Sequence, residues 1–385
     1  MNPVTEKALN IPPFIVMDVL ERAHELEKEG RHIIHLEVGE PDFPTPSCIC
    51  EAAAKAIQEE KTHYTHSLGL MELREAICED YLKKYGVCVY PDQVIVTSGT
   101  SPGIFMIFSS ILDPGDKIIF SDPHYPCYPN IASFIGAVPS FINVYEEDGF
   151  QYRPEEMRNR INTQTKAILI NSPSNPTGNL LSPERMKEIA GLGPYVISDE
   201  IYHGLVYGEK EHSILEYTDR AFVLNGFSKL YAMTGWRLGY IIAPIEFVRP
   251  MQKIQQNFFI SAGSIAQWAG VAALKKADRD VEEMRAVYDE RRRYMIRRLR
   301  EIGFGLSIEP CGAFYVLVNA NHISQDSYKL AFKILEEAGV GVTPGIDFGD
   351  NAEGYLRFSY ANSLENIKIG LDRIEEFIRS GKVYY

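Results

Sequence analysis

The stretch AFVLNGFSKLYAMTGWRLGYII, residues 221–242, decides how this chain of 385 residues is read. Its opening run, Ala221-Phe222-Val223-Leu224, is apolar throughout and predicts a buried strand that stops at Asn225-Gly226. A single lysine, Lys229, follows in a turn of small residues, and then come Thr234-Gly235, Arg237 and Gly239. A second apolar run, Tyr240-Ile241-Ile242-Ala243, predicts another strand. A lysine at a strand end between two buried strands lies where an open α/β sheet builds its ligand crevice. Desolvated there, it can lose its proton and attack a carbonyl carbon. An arginine nearby can clamp a phosphate with paired hydrogen bonds. Lysine plus phosphate clamp is what pyridoxal phosphate requires, although alone the two residues also read as solvated surface charges.

The chain upstream supplies the rest of such a crevice. Val94 to Thr97 predicts a strand running into Ser98-Gly99-Thr100-Ser101-Pro102-Gly103, followed by an apolar helix from Ile104 to Leu112. Lys117 to Ser121 is a strand before Asp122-Pro123-His124-Tyr125, and Val138 to Val144 is another. Lys166 to Asn171 enters Ser172-Pro173-Ser174-Asn175-Pro176-Thr177-Gly178, and Tyr195 to Ser198 ends in Asp199-Glu200-Ile201-Tyr202. Strands alternating with helices predict an α/β domain whose mostly parallel sheet is covered on both faces. The residues after each strand then converge at one edge, and Ser98 to Ser101, Tyr125, Asn175, Asp199, Tyr202 and Lys229 all fall there. Hydroxyl residues at a helix start offer N–H groups and a positive dipole end to an anion, or serve as an ordinary N-cap. The Lys-Ser/Thr ending of a Walker loop is missing, and no strand runs into a G-x-G-x-x-G turn.

At the N-terminal side a loose arm precedes Pro12-Pro13, a helix from about Val16 to Glu29, and a short strand Ile33 to Leu36. That strand leads into Val38-Gly39-Glu40-Pro41-Asp42-Phe43-Pro44, a loop stiffened by two prolines and a glycine. Helices are expected from Pro46 to Gln58 and from Leu73 onward. Downstream, a helical tract from about Ser264 to Ile302 precedes a smaller α+β region. Its expected strands are Leu306 to Glu309, Ala313 to Val318, Val340 to Thr343 and Tyr355 to Tyr360, with helices over Asp326 to Ala338 and Ser363 to Ile378. Arg357 stands in the last strand among apolar neighbours. Burying it calls for an anionic partner, either a structural carboxylate or a substrate one. The expected division is 1–44 as arm and joining segment, 45–280 as the large domain and 281–385 as the small one.

The bulk numbers narrow the function classes. A net charge of −13 argues against a nucleic-acid backbone or an anionic membrane as partner. No apolar run approaches the ~18 residues of a membrane span, and MNPVTEKALNIPPF carries no secretory pattern, so a cytoplasmic location is expected. Six cysteines lie without paired CxxC spacing and read as reduced thiols; His63 and His66 have no matching carboxylate, so no metal is expected.

Seven segments in order, GEPDFPTP (39–46), YTHSLGLMELREAI (64–77), SGTSPG (98–103), NSPSNPTG (171–178), SDEIY (198–202), FSKLYAMTGWRLGY (227–240) and LRFSYA (356–361), carry a resemblance over nearly the whole chain. It resembles the fold-type I, class I/II aminotransferases that use pyridoxal 5′-phosphate. The resemblance implies a seven-stranded, mostly parallel sheet plus a smaller α+β domain. It also implies transfer of an amino group from an L-amino acid to a 2-oxo acid by a ping-pong mechanism. A C–S β-lyase or related lyase on the same scaffold is the alternative, and a non-catalytic cofactor-binding regulator is a more distant one.

By the same resemblance Lys229 would bind the cofactor covalently and move the substrate proton, and Asp199 would pair with the pyridine nitrogen. Asn175 and Tyr202 would hydrogen-bond the ring's phenolic oxygen, and Tyr125 would stack on its face. Gly99, Thr100, Ser101 and Arg237 would hold the phosphate, joined by Tyr64 from a second subunit of a homodimer. Arg357, with Gly39 and Asn175 beside it, would bind the substrate α-carboxylate. Cis peptide bonds are implied before Pro123 and Pro176. One departure stands out: many relatives have a phosphate-binding serine where this chain has Gly226, and Ser228 or backbone N–H groups would have to compensate. The substrate side chain is expected near Ile15 to Val19, Tyr64 and Tyr125.

Overall fold

The long apolar runs of the middle third become the centre of one sheet. The computed structural model describes residues 3–381, so the first two and last four positions of the expected 1–44 and 281–385 divisions lie outside it. Its strands are β1 (Ile34–His35), β2 (Val94–Thr97), β3 (Lys117–Asp122), β4 (Val138–Asn143), β5 (Thr165–Asn171), β6 (Tyr195–Asp199), β7 (Ala221–Gly226), β8 (Gly239–Ile242), β9 (Tyr315–Asn319), β10 (Val340–Gly341), β11 (Thr343–Pro344) and β12 (Tyr355–Ser359). Seven of them form a sheet in the order β2-β8-β7-β6-β5-β3-β4. All neighbours are parallel except that β8 runs antiparallel to both β2 and β7. Continuous burial of β2, β7 and β8 follows from helices on both faces, since neither side of these strands meets water.

The chain passes from β3 outward to β4, then returns to the other side of β3 and continues through β5, β6 and β7. This reversal of strand order opens a crevice at the carboxyl ends. Register places Asn171, the last residue of β5, beside Asp199, the last of β6. A second sheet, β11-β12-β9, is antiparallel, with Arg357 of β12 opposite Leu317 on one side and Thr343 on the other. The helix Ile15–Lys28 buries Val16, Val19, Ala23 and Leu26 and joins Ile33 and Leu335 in a small core of its own.

Several expectations need correction. The helix after β2 begins at Thr100, not Ile104, so Thr100 and Ser101 belong to its first turn. The expected strand Leu306 to Glu309 does not form; only Gly305 bridges to Asn319 there. The tract from Ser264 to Ile302 is two helices, Ser264–Lys276 and Asp278–Ile302, joined at Ala277. The expected strand Val340 to Thr343 is two separate two-residue pieces, β10 pairing with β1 and β11 with β12. The helix Ile245–Phe258, with Pro250 inside it, has no counterpart among the expected elements. Cis peptide bonds precede Pro123 and Pro176 as expected, and also Pro173.

Candidate active site

The carboxyl ends of β5, β6 and β7 face a cavity of about 320 Å³ bordered by Lys229, Asp199, Asn175, Tyr202 and Arg357. Lys229 sits just past β7, where the strand has run out and the chain turns through small residues. Its Nζ donates to the Gly39 carbonyl at 2.7 Å. Burial is the main force pushing its pKa down, to about 8; Arg357 and Arg237 add to the fall, while Glu40 and Asp199 oppose it. The amine therefore gives up its proton far more readily than an ordinary lysine, and a working fraction is neutral near physiological pH, as a nucleophile or base requires.

Asp199 ends β6 with its carboxylate in the cavity. Tyr128 donates from its hydroxyl to Oδ2 at 2.6 Å, and the Ile201 N–H donates to Oδ1 at 3.1 Å. Burial pushes its pKa up to about 6, against the pull of these two hydrogen bonds and of Lys229. A carboxylate held this way favours a cation brought against it. Asn171 links the neighbouring strand ends: its Nδ2 donates to the Asp199 carbonyl at 3.0 Å and its Oδ1 accepts from Asn175 N at 2.8 Å. The Tyr202 and Tyr315 hydroxyls share a hydrogen bond of 2.9 Å. Tyr125 lines the cavity with its ring edge-on to Phe14 and to Tyr128.

At another side the helix Thr100–Ile111 points its first turn, with Thr100 and Ser101, into the cavity. Gly99 precedes it with φ of 89°, a backbone conformation that favours glycine. A Cβ there would stand 2.5 Å from Arg237 Nη2, so the glycine also lets the guanidinium approach the helix start. Arg237 donates from Nη1 to the Thr234 carbonyl at 3.0 Å. Free helical N–H groups, two hydroxyls and an arginine make an anion cradle. At Gly226 a Cβ would come within 3.0 Å of Gly239 Cα and the Leu238 carbonyl oxygen, so the strand β8 crowds out a side chain there. Ser228, nearly buried, lines the cavity in its place.

Arg357 closes the remaining side. Only 3% exposed, it donates from Nη1 to Asn175 Oδ1 at 2.8 Å, and from Nη2 to the Glu37 carbonyl at 2.5 Å and Thr343 Oγ1 at 3.1 Å. Its Nε is buried without a partner, and the rings of Tyr315 and Phe348 lie 4.3 and 4.8 Å from its guanidinium carbon. These partners are neutral oxygens, so a buried cation with an unused donor borders a cavity, a setting suited to an anionic ligand. Gly39 is required beside it by space: a Cβ would fall 1.9 Å from the Tyr315 hydroxyl.

Every predicted site residue but one therefore borders or frames this cavity. The exception is Tyr64, 82% exposed, which lines a separate groove with Trp236 and residues 261–266. In the expected side-chain wall, Val16 and Met17 line the cavity together with Phe14, whereas Ile15 and Val19 do not. Sequence reasoning missed Tyr128, Asn171 and Tyr315. Asn171 opens the quoted NSPSNPTG segment and Tyr128 lies one helical turn past Tyr125, both usable signals. Tyr315 sits in an apolar strand of the second sheet and gave none. Among the described residues no group of three or more His, Cys, Asp or Glu could hold a metal, and no helix is long and apolar enough to cross a membrane.

The sequence profile of the family described as aminotransferase class I and II matches residues 31–374. The chain is 45% identical over 379 residues to the (5-formylfuran-3-yl)methyl phosphate transaminase of Methanocaldococcus jannaschii, covering 97% of this chain and 99% of that one. It is 38% identical to the aspartate/prephenate aminotransferase of Thermus thermophilus, covering 97% and 98%. Among solved structures, a Methanococcus jannaschii protein described as similar in its active site to kynurenine aminotransferases superposes with a TM-score of 0.91 at 44% identity, over 97% of this chain and 100% of that one. Thermus thermophilus aspartate aminotransferase with maleate gives 0.93 at 37%, over 98% and 100%.

Proposed function

This chain belongs to the class I and II aminotransferases, and we propose that it moves the amino group of an L-amino acid to a 2-oxo acid with pyridoxal 5′-phosphate held in the Lys229 cavity. The observation that carries this reading is the half-buried Lys229, its pKa lowered to about 8, sharing a cavity with an acid, Asp199, and an arginine without a carboxylate partner, Arg357. The residues present fit the cofactor. Asp199 matches a protonated pyridine nitrogen, the Gly99–Ser101 helix start with Arg237 and Ser228 matches a phosphate, and Asn175 and Tyr202 have donors for a phenolic oxygen.

When bound, the cofactor would supply an electron sink for the pair left as a bond to the substrate Cα breaks. The chain's own residues do the rest. Arg357, aimed by Asn175, the Glu37 carbonyl and Thr343, binds the α-carboxylate and fixes the Cα orientation. Lys229, released from Gly39, takes up the Cα proton at Nζ and would pass it on to the bound cofactor rather than return it to Cα, a task suited to a pKa of about 8. Asp199, held by Tyr128, keeps its negative charge aimed at one place throughout.

The same reading makes the enzyme a cytoplasmic homodimer, with the exposed Tyr64 of one protomer reaching the phosphate of its partner. It also divides the chain at 1–44, 45–280 and 281–385. The test is to supply purified protein and pyridoxal 5′-phosphate with a panel of L-amino acids and either pyruvate or 2-oxoglutarate. A new amino acid and a new 2-oxo acid should form in equal amounts. Release of ammonia and pyruvate without transfer would instead assign the lyase alternative.

A further inference from the structure

The cofactor reading leaves one wall of the cavity unexplained. Phe14, Val16, Met17, Val38 and Ile104 border it with apolar side chains, and the edge-on contact of Phe14 with Tyr125, 5.8 Å between ring centres, closes one corner. Among the described residues lining the cavity, the cations are Lys229, Arg237 and Arg357. Each has a task in the proposed reaction, so the part of the cavity that this chain leaves over is bordered by apolar groups.

Three residues of that wall stand at the start of the helix Ile15–Lys28, and that start is held in an unusual way. Phe14 supplies no side-chain cap. The cap comes instead from Asp347, more than three hundred residues away. Its Oδ1 accepts from Ile15 N at 2.9 Å and its Oδ2 from Val16 N at 3.2 Å. Asp347 is 8% exposed, so its charge is held out of water chiefly by what it grips. A carboxylate on the first N–H groups of a helix satisfies otherwise orphaned donors and opposes the positive dipole end. The next residue, Phe348, has its ring 4.8 Å from the guanidinium carbon of Arg357, and its carbonyl accepts from His124 N at 2.8 Å, one residue from Tyr125. One short turn thus touches the helix start, the substrate arginine and the segment bearing Tyr125.

We propose that Asp347 is a positioning residue that holds Phe14, Val16 and Met17 against Tyr125 as an apolar wall, and that this wall selects amino donors with apolar or aromatic side chains. The proposal rests on the aminotransferase reading above. Burying an apolar side chain against the wall stabilises its complex roughly in proportion to the area covered, so the wall discriminates by side-chain size.

The experiment compares L-phenylalanine, L-alanine and L-aspartate as donors for the holoenzyme and for Asp347→Ala and Asp347→Asn. In the wild type, phenylalanine should be turned over with higher kcat/KM than aspartate. Loss of a cap of this kind predicts a rise of about tenfold in KM for phenylalanine in Asp347→Ala. KM for alanine, whose methyl is too short to gain from the wall, and the absorption of the bound cofactor should stay the same. Asp347→Asn keeps one acceptor oxygen and should fall between. Equal losses with phenylalanine and alanine, no loss at all, or a wild type that uses aspartate and not phenylalanine would each overturn the proposal. Amide hydrogen exchange at Ile15 to Val19 gives a reading independent of turnover: it should quicken in Asp347→Ala, and unchanged exchange would also sink the positioning role. A wild type that transfers from no amino acid would instead break the aminotransferase reading, which keeps the two failures apart.

Discussion

The proposed cofactor side and the proposed substrate side of this cavity are built by different means. On the proposed cofactor side, Asn171 and Asp199 are paired last residues of neighbouring strands and Lys229 follows the next strand by three positions, so the sheet sets where each backbone lies. On the substrate side, Arg357 comes from a second sheet and is aimed by the Glu37 carbonyl, 320 positions away, while Asp347 reaches across 332 positions to Ile15. A parallel sheet converts short local motifs into one convergent edge, whereas the substrate side depends on side chains meeting only after the chain has folded. Substrate choice is therefore the part of the function that local sequence describes least.

The contrast can be pressed first at Arg357. Arg357→Leu removes a buried cation together with the donors to Asn175, Glu37 and Thr343. We expect kcat/KM to drop by on the order of a hundredfold or more for every donor alike, because all share the α-carboxylate. The cofactor should stay bound, since Lys229, Asp199 and the cradle of Thr100 and Arg237 make no hydrogen bond to Arg357, while its absorption should shift through the lost contact to Asn175. Absorption and kinetics measured on one preparation check this, and a variant that loses the cofactor would show that the two sides are not separable.

A smaller effect is expected at the segment that aims Arg357. His35 Nδ1 meets Glu37 Oε1 at 2.6 Å and its Nε2 meets Glu27 Oε1 at 3.2 Å, so the ring bridges the Ile15–Lys28 helix and the residue whose carbonyl holds Arg357. The Glu37 hydrogen bond leads in raising the His35 pKa from 6.5 to about 9, against desolvation, and Glu27 adds to the rise. A raised histidine pKa contributes stability that is complete below the unfolded value of 6.5 and is lost as pH climbs through 9. The melting temperature of the wild type should therefore fall between those limits more steeply than that of His35→Gln. Parallel curves for the two proteins would remove the protonated bridge from the account.

How much was legible follows the same divide. Lys229, Asp199, Asn175 and Tyr202 could be placed from sequence because an apolar run, a turn and a polar residue suffice to put a side chain at a strand end. The phosphate residues could be named, but the helix was expected only from Ile104, whereas it begins at Thr100 with Pro102 in its first turn, where proline is well tolerated. Tyr315 and Asp347 were invisible, since one looks like core and the other like an ordinary turn acid until their distant partners are known. The small sheet was misjudged at Leu306 to Glu309, where pairing reduces to the Gly305–Asn319 bridge and no alternation in the sequence could reveal it.

The central claim is that Lys229 carries the cofactor on which amino transfer depends. It is tested most directly by reducing the pyridoxal-phosphate-loaded protein with borohydride and mapping the modified peptide by mass spectrometry. The account predicts a phosphopyridoxyl group on Lys229, and its loss, together with transfer activity, in Lys229→Ala. A modification at another lysine, or a Lys229→Ala protein that still transfers amino groups at the wild-type rate, would contradict it.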